Sequence, residues 1–224
     1  MFGKTLKTTF AVVASTSAAL FAGAASAANA TYDSSTIDSA FLSQGAYNGA
    51  WGFAEISATQ SGGTLTMGSP SVNDCDPYWF GANGTNGASC PGIDGNASTA
   101  SIYGEEVGTH DAGDVITFAG EVIADDFAGV GTIIIKDFNS SFGNYQSTEL
   151  EITSLGSFSI EHTVVNGGGV IQYGFVLNNH MVWPGEESAD GTITVGPSAV
   201  PVPAAAWLMG SALLGLAGVK RSRK

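Results

Sequence analysis

Apolar residues along this chain recur mostly with a period of two rather than the three-to-four spacing of an amphipathic helix. In Asp114–Ala124, Ile116, Phe118 and Val122 fall on one face, with Thr117, Ala119 and Glu121 between them. Ser157–Val165 puts Phe158, Ile160, His162 and Val164 on one side. Val170–Leu177 does the same with Ile171, Tyr173, Phe175 and Leu177. Gly131–Phe138 contains Ile133-Ile134-Ile135, a run too apolar for a sheet edge and expected in a sheet interior. Shorter runs at Trp51–Ile56, Thr64–Met67, Ser98–Tyr103, Thr148–Thr153 and Gly191–Val195 bring the expectation to about nine strands. Turn signals separate them, among them Ser61-Gly62-Gly63, Asn166-Gly167-Gly168-Gly169 and Ala189-Asp190-Gly191. Asp33–Gln44 reads as a short helix, with Ile37, Phe41 and Leu42 on one face. Residues 70–97 fit no strand and read as a long Gly/Asn-rich loop. The pattern predicts an all-β fold, an antiparallel sandwich with jelly-roll-like character.

The two ends break this pattern. Lys4 and Lys7 precede the uncharged stretch Phe10–Ala25, and small residues follow as Ala25-Ser26-Ala27 and Ala28-Asn29-Ala30. That is the layout of a secretory signal peptide over residues 1–30, a helix cut after Ala27 or Ala30. At the other end Val200–Val219 is uncharged, and Lys220, Arg221, Arg223 and Lys224 follow. Twenty helical residues rise about 30 Å, the thickness of a bilayer core. A basic flank fixes that side in the cytoplasm, so residues 31–199 lie outside, in agreement with the signal peptide. The chain of 224 residues thus divides into signal peptide, one domain at 31–199, and a tail at 200–224 with a transmembrane helix.

The tail reads Val200-Pro201-Val202-Pro203-Ala204, then Ala205–Gly218, then the basic end. It closely resembles the VPLPA-CTERM sorting signal, a relative of PEP-CTERM, with Val202 where that signal has Leu. The resemblance implies an exosortase-type membrane protease as partner, cleavage near the Pro-containing motif, and a mature protein at the cell surface or outside a bacterium that makes extracellular polysaccharide. A looser resemblance covers about 110 residues of the body. It runs through Tyr78-Trp79-Phe80-Gly81, Gly113–Gly120, Ile135-Lys136-Asp137-Phe138, Gln172-Tyr173-Gly174-Phe175 and Val182-Trp183-Pro184. These look like the extracellular domains found ahead of such tails, and like carbohydrate-binding modules of the galactose-binding-like jelly roll. No ligand-binding residue carries over with them.

Charge narrows the partners. Six of the seven basic residues lie in the two ends, and all 20 acids lie between Asp33 and Asp190. Only Lys136 opposes them, so the body has a formal charge of −19. Such a surface repels nucleic acid and anionic lipid, and suits neutral sugars and divalent cations. Cys75 and Cys90 lie in the exported part with no His nearby, a spacing that fits a disulfide rather than zinc.

Candidate chemistry is sparse. There is no G-x-S-x-G, H-E-x-x-H or P-loop motif. The acidic pairs Glu105-Glu106, Asp125-Asp126 and Glu186-Glu187 are adjacent residues, which point to opposite faces of a strand and do not pair across a cleft. His162 falls in phase with an apolar face and reads as a structural side chain. No cofactor is assigned; Asp111 and Asp114, flanking a Gly turn, are where a structural Ca²⁺ would sit. Tyr78, Trp79 and Phe80, with Trp183, either stack on sugar rings or plug one end of the sandwich. Three functions remain open: a non-catalytic, polysaccharide-associated surface or matrix protein, a secreted polysaccharide-acting enzyme, and a purely structural envelope or biofilm protein.

Overall fold

β7 shows why these segments become strands. From Val115 to Asp125 its residues alternate between half-exposed and buried as far as Val122, with Ile116, Phe118 and Val122 turned inward. Alternation of this kind buries one face of a pleated strand and leaves the other wet. The computed structural model describes residues 29–197 apart from 51, 54–55, 57 and 86–88. The expected signal peptide up to residue 28, the expected transmembrane tail and the motif Val200–Ala204 lie outside the described residues, as do 51, 54 and 55 of the expected strand Trp51–Ile56, whose described residues are not in a strand. Among the described residues no helix is long and apolar enough to cross a membrane.

In chain order the strands are β1 (Asn29–Tyr32), β2 (Ser39–Gln44), β3 (Tyr47–Ala50), β4 (Thr59–Ser61), β5 (Thr64–Met67), β6 (Ala97–Val107), β7 (Val115–Asp125), β8 (Val130–Phe138), β9 (Tyr145–Glu151), β10 (Gly156–Thr163), β11 (Val170–His180) and β12 (Ile193–Gly196). One four-residue helix, α1 (Pro77–Phe80), stands in the long connection between β5 and β6. The strands form two sheets. One has the order β3-β2-β6-β11-β8-β9, and the other contains β1, β4, β5, β7, β10 and β12. In the second sheet β7 pairs with β10 along Val115–Val122, while β1 and β12 share its other edge at Val115–Phe118 and Glu121–Asp125. β1 runs parallel to β7; every other strand pair is antiparallel. From β5 onward the chain crosses between the sheets, so that β5-β12-β7-β10 oppose β6-β11-β8-β9.

The fold is therefore an all-β sandwich with its larger core between the two sheets. Phe118 of β7, Phe158 of β10 and Phe175 of β11 meet edge to face across it, with centroids 5.5–6.0 Å apart. Ile133 and Ile135 point inward while Ile134 points outward, so the triple-Ile run has one residue on the outer face, and that residue is still buried. The expected helix over Asp33–Gln44 does not form. A single 3-10 turn at Ser34–Thr36, capped by Asp33, leads into β2. Ala40 and Leu42 face inward there, and Phe41 faces the opposite side, so the apolar residues divide between two faces rather than lining one.

Candidate functional site

The outer face of the β3-β2-β6-β11-β8-β9 sheet is a groove of about 770 Å³, to which all six strands contribute. Five inter-strand steps of about 4.8 Å make it roughly 24 Å across. Phe41, Ser43 and Asn48 stand at the β2–β3 end, and Phe138, Phe142 and Tyr145 at the β9 end. The floor between is polar. Glu105, Gln172, Lys136 and Ser147 lie in one cross-strand row, and the Gln172 Nε2–H donates to Glu105 Oε2 at 2.8 Å. The next row holds Tyr103, Gly174 and Ile134. A Cβ on Gly174 would come within 2.1 Å of the Ile102 carbonyl oxygen, so only glycine lets β11 lie this close to β6.

The aromatic end is built by the β8–β9 turn. The Asn139 side-chain oxygen accepts from the Ser141 N–H at 3.2 Å, the Ser141 hydroxyl at 3.0 Å and the Gly143 N–H at 3.1 Å. The Phe142 N–H closes the turn on the Asn139 carbonyl at 3.0 Å. Held this way, Phe142 has φ +56°, which is unusual for a bulky side chain and costs about 1–3 kcal/mol. The strain sets an apolar ring, 53 % exposed, at the mouth of the groove. Phe138 lies 5.4 Å from Phe142 and 5.0 Å from Tyr145, centroid to centroid, so three rings form one platform. The Lys136 ammonium sits 5.9 Å from the Tyr145 ring centre. Burial lowers its pKa below the ordinary lysine value, and the nearby Glu149 opposes that shift. Tyr103 is pushed the other way, above the ordinary phenol value, chiefly by burial and then by Glu105 and Asp38.

The aromatic residues singled out from sequence occupy another part of the molecule. Asp76 caps α1 by accepting from the Tyr78 N–H at 2.7 Å, with Pro77 in the first turn. This directs Trp79 and Phe80 inward to a second, smaller core with Leu42, Val72, Met181 and both cysteines. Trp79 is 8 % exposed and Phe80 1 %, so these two rings pack in this core, the second of the two roles the sequence left open for them. Trp183 leans on Phe80 at 6.3 Å. Tyr78 is exposed, and its hydroxyl accepts from the Tyr47 N–H at 2.7 Å and donates to the Gln44 carbonyl, fastening the loop to the β2–β3 turn. Cys75 and Cys90 form a disulfide with Cα atoms 5.6 Å apart. The Asp111–Asp114 turn satisfies itself, with the Asp111 N–H donating to Asp114 Oδ2 at 2.9 Å. Among the described residues no group of three or more His, Cys, Asp or Glu side chains is arranged to hold a metal ion.

One further polar cluster is buried. The Thr148 hydroxyl meets His162 Nδ1 at 3.0 Å, and His162 Nε2 lies 3.6 Å from Asp137 Oδ2. That same carboxylate oxygen accepts the N–H groups of Val165 at 2.6 Å and Asn166 at 2.9 Å. The order hydroxyl–imidazole–carboxylate is that of a nucleophile, base and orienting acid. None of the three side chains lines the groove, however, and Asp137 is fully buried. The cluster ties β8, β9 and β10 to the turn after β10.

Sequence reasoning missed the groove because its residues are spread over six strands, with Phe41 on β2, Lys136 on β8 and Tyr145 at the start of β9 far apart in the chain. The available signal was the set of apolar residues out of phase with the core, Phe41, Phe138 and Tyr145 among them. A comparison of the chain with family models, curated proteins and solved structures finds no significant match.

Proposed function

We propose that this chain is an exported, exosortase-sorted surface or matrix protein whose jelly-roll sandwich binds extracellular polysaccharide in the open groove, without catalysis. The observation that carries the binding reading is the platform of Phe138, Phe142 and Tyr145 beside a polar floor. Sugar rings offer apolar faces to stack and a rim of hydroxyls to hydrogen-bond, and this groove presents both kinds of partner side by side. Its length suits a run of several sugar units. The wiring of β5 to β12, with β5-β12-β7-β10 opposite β6-β11-β8-β9, supports the jelly-roll part of the reading. Export is supported by the disulfide, which persists in oxidising compartments, and by the resemblance of the tail to a VPLPA-CTERM signal.

The test is glycan binding by the body, residues 31–199, with titration of Phe142→Ala and Tyr145→Ala. The parent should bind at about 10 μM to 1 mM, the range of a few stacked rings. Each variant should lose about 1–2 kcal/mol of binding, as anchor residues do, and keep its melting temperature. Binding that survives both substitutions, or none by the parent across a panel of microbial polysaccharides, refutes the groove as a sugar site.

A further inference from the structure

Lys136 is the only basic residue between Lys7 and Lys220, in a stretch that holds 20 acids. A lone lysine in such a chain has acidic partners available over most of the surface. The ion pairs among the described residues all involve histidines, and none engages Lys136. Its ammonium instead stands in the groove beside the Tyr145 ring, between Gln172 on β11 and Ser147 on β9. Burial at that place disfavours the charged form, with Glu149 opposing only in part. A half-desolvated cation with no carboxylate of the described residues within ion-pair distance leaves three N–H donors for a group that arrives from outside.

The neighbours indicate what that group is attached to. The ammonium lies next to the aromatic platform, so a sugar stacked on Tyr145 and Phe138 brings its ring substituents over Lys136. Gln172 is already engaged with Glu105, which leaves Lys136 as the cationic donor of the floor. The acidic body opposes a polyanion at long range. At about 0.15 M salt that repulsion is screened beyond roughly 8 Å, whereas contact between Lys136 and an anion seated in the groove is screened less.

We propose that the groove, read as the polysaccharide site, recognises an acidic glycan, a chain of pyranoses carrying a carboxylate or a sulfate ester, and that the Lys136 ammonium receives the anion. This inference rests on the groove being a sugar site.

Titrating the exported body with uronate polymers, with the same polymers after reduction of their carboxylates to alcohols, with a sulfated galactan and with neutral glucans tests it. Acidic glycans should bind about tenfold or more tightly than their reduced or neutral counterparts, the size of one charge-assisted contact. Lys136→Gln should erase that difference while leaving residual neutral-glycan binding in place, and Lys136→Arg should retain it. Whether the uronate or the sulfated arm carries the preference identifies the anion. Neutral glycans binding as tightly as acidic ones, or Lys136→Gln leaving the preference intact, would overturn the proposal and leave the groove a neutral-sugar site. Binding of no glycan at all removes both readings together.

Discussion

Lys136 shows how a single residue can lower stability where it serves recognition. Its folded-state pKa lies below the ordinary lysine value because burial disfavours the ammonium. Between those two values, in the alkaline range, the unfolded chain binds more protons than the folded one, so stability rises with pH there. Below that range the folded protein carries the full desolvation penalty. Lys136→Met keeps the stem that packs beside Tyr145 and removes the charge. It should therefore melt higher than the parent at neutral pH, by about 2–4 °C for each kcal/mol regained in a domain of this size. The variant should also lack the parent's rise in stability at alkaline pH. Thermal melts of both proteins from neutral to alkaline pH check this, and a variant that melts lower at neutral pH would show the ammonium to be net stabilising. Binding sites are where such unfavourable placements are retained. Phe142, in its left-handed turn at the same end of the groove, is a second instance.

At the scale of elements, most strands were legible in the sequence, the four-residue β5 and β12 among them, and β1 to β4 were not. β7, β8, β10 and β11 each have an apolar face long enough to establish a period of two and appear close to their expected bounds, while β6 runs four residues past its expected end to Val107. β1, β2, β3 and β4 have three to six residues and owe their form to neighbours: β2 lies between β3 and β6, and β1 docks on an edge of β7. Tertiary pairing decides such segments, so a local pattern cannot. The candidate site failed for a related reason. Tyr78-Trp79-Phe80 drew attention as a contiguous triplet, yet contiguity on a capped helical turn sends successive side chains in different directions, and two of the three point into the second core. Trp79→Ala should thus behave as a core truncation, costing about 3–5 kcal/mol, a loss on the order of 10 °C in melting temperature. Tyr145→Ala, on an exposed strand, should stay within about 0.5 kcal/mol of the parent. Calorimetry of the two variants side by side separates packing rings from platform rings, and a Trp79→Ala protein with an unchanged melt would return that residue to the surface.

For the whole molecule, the uneven charge links sorting to the mature state. Six of the seven basic residues lie in the first seven and last five positions, so the proposed processing at both ends would convert a chain of net charge −13 into a body of −19. The structure also bears on where the first cut falls. β1 begins at Asn29 and pairs with β7 through Tyr32, which places two of its residues inside the stretch that a cut after Ala30 would remove. A cut after Ala27 keeps all four register pairs along an edge of β7 that β12 leaves uncovered below Glu121. At the other end, β12 closes at Gly196, four residues before Val200, so cleavage in Val200–Ala204 would take nothing from β12. Intact-mass measurement of the exported protein should therefore give a species starting at Ala28 and ending between Val200 and Ala204. A start at Thr31 would mean that the mature domain dispenses with half of β1. Recovery of Lys224 on exported protein would end the sorting proposal, because a basic end retained after export leaves the tail a plain anchor rather than a processed signal.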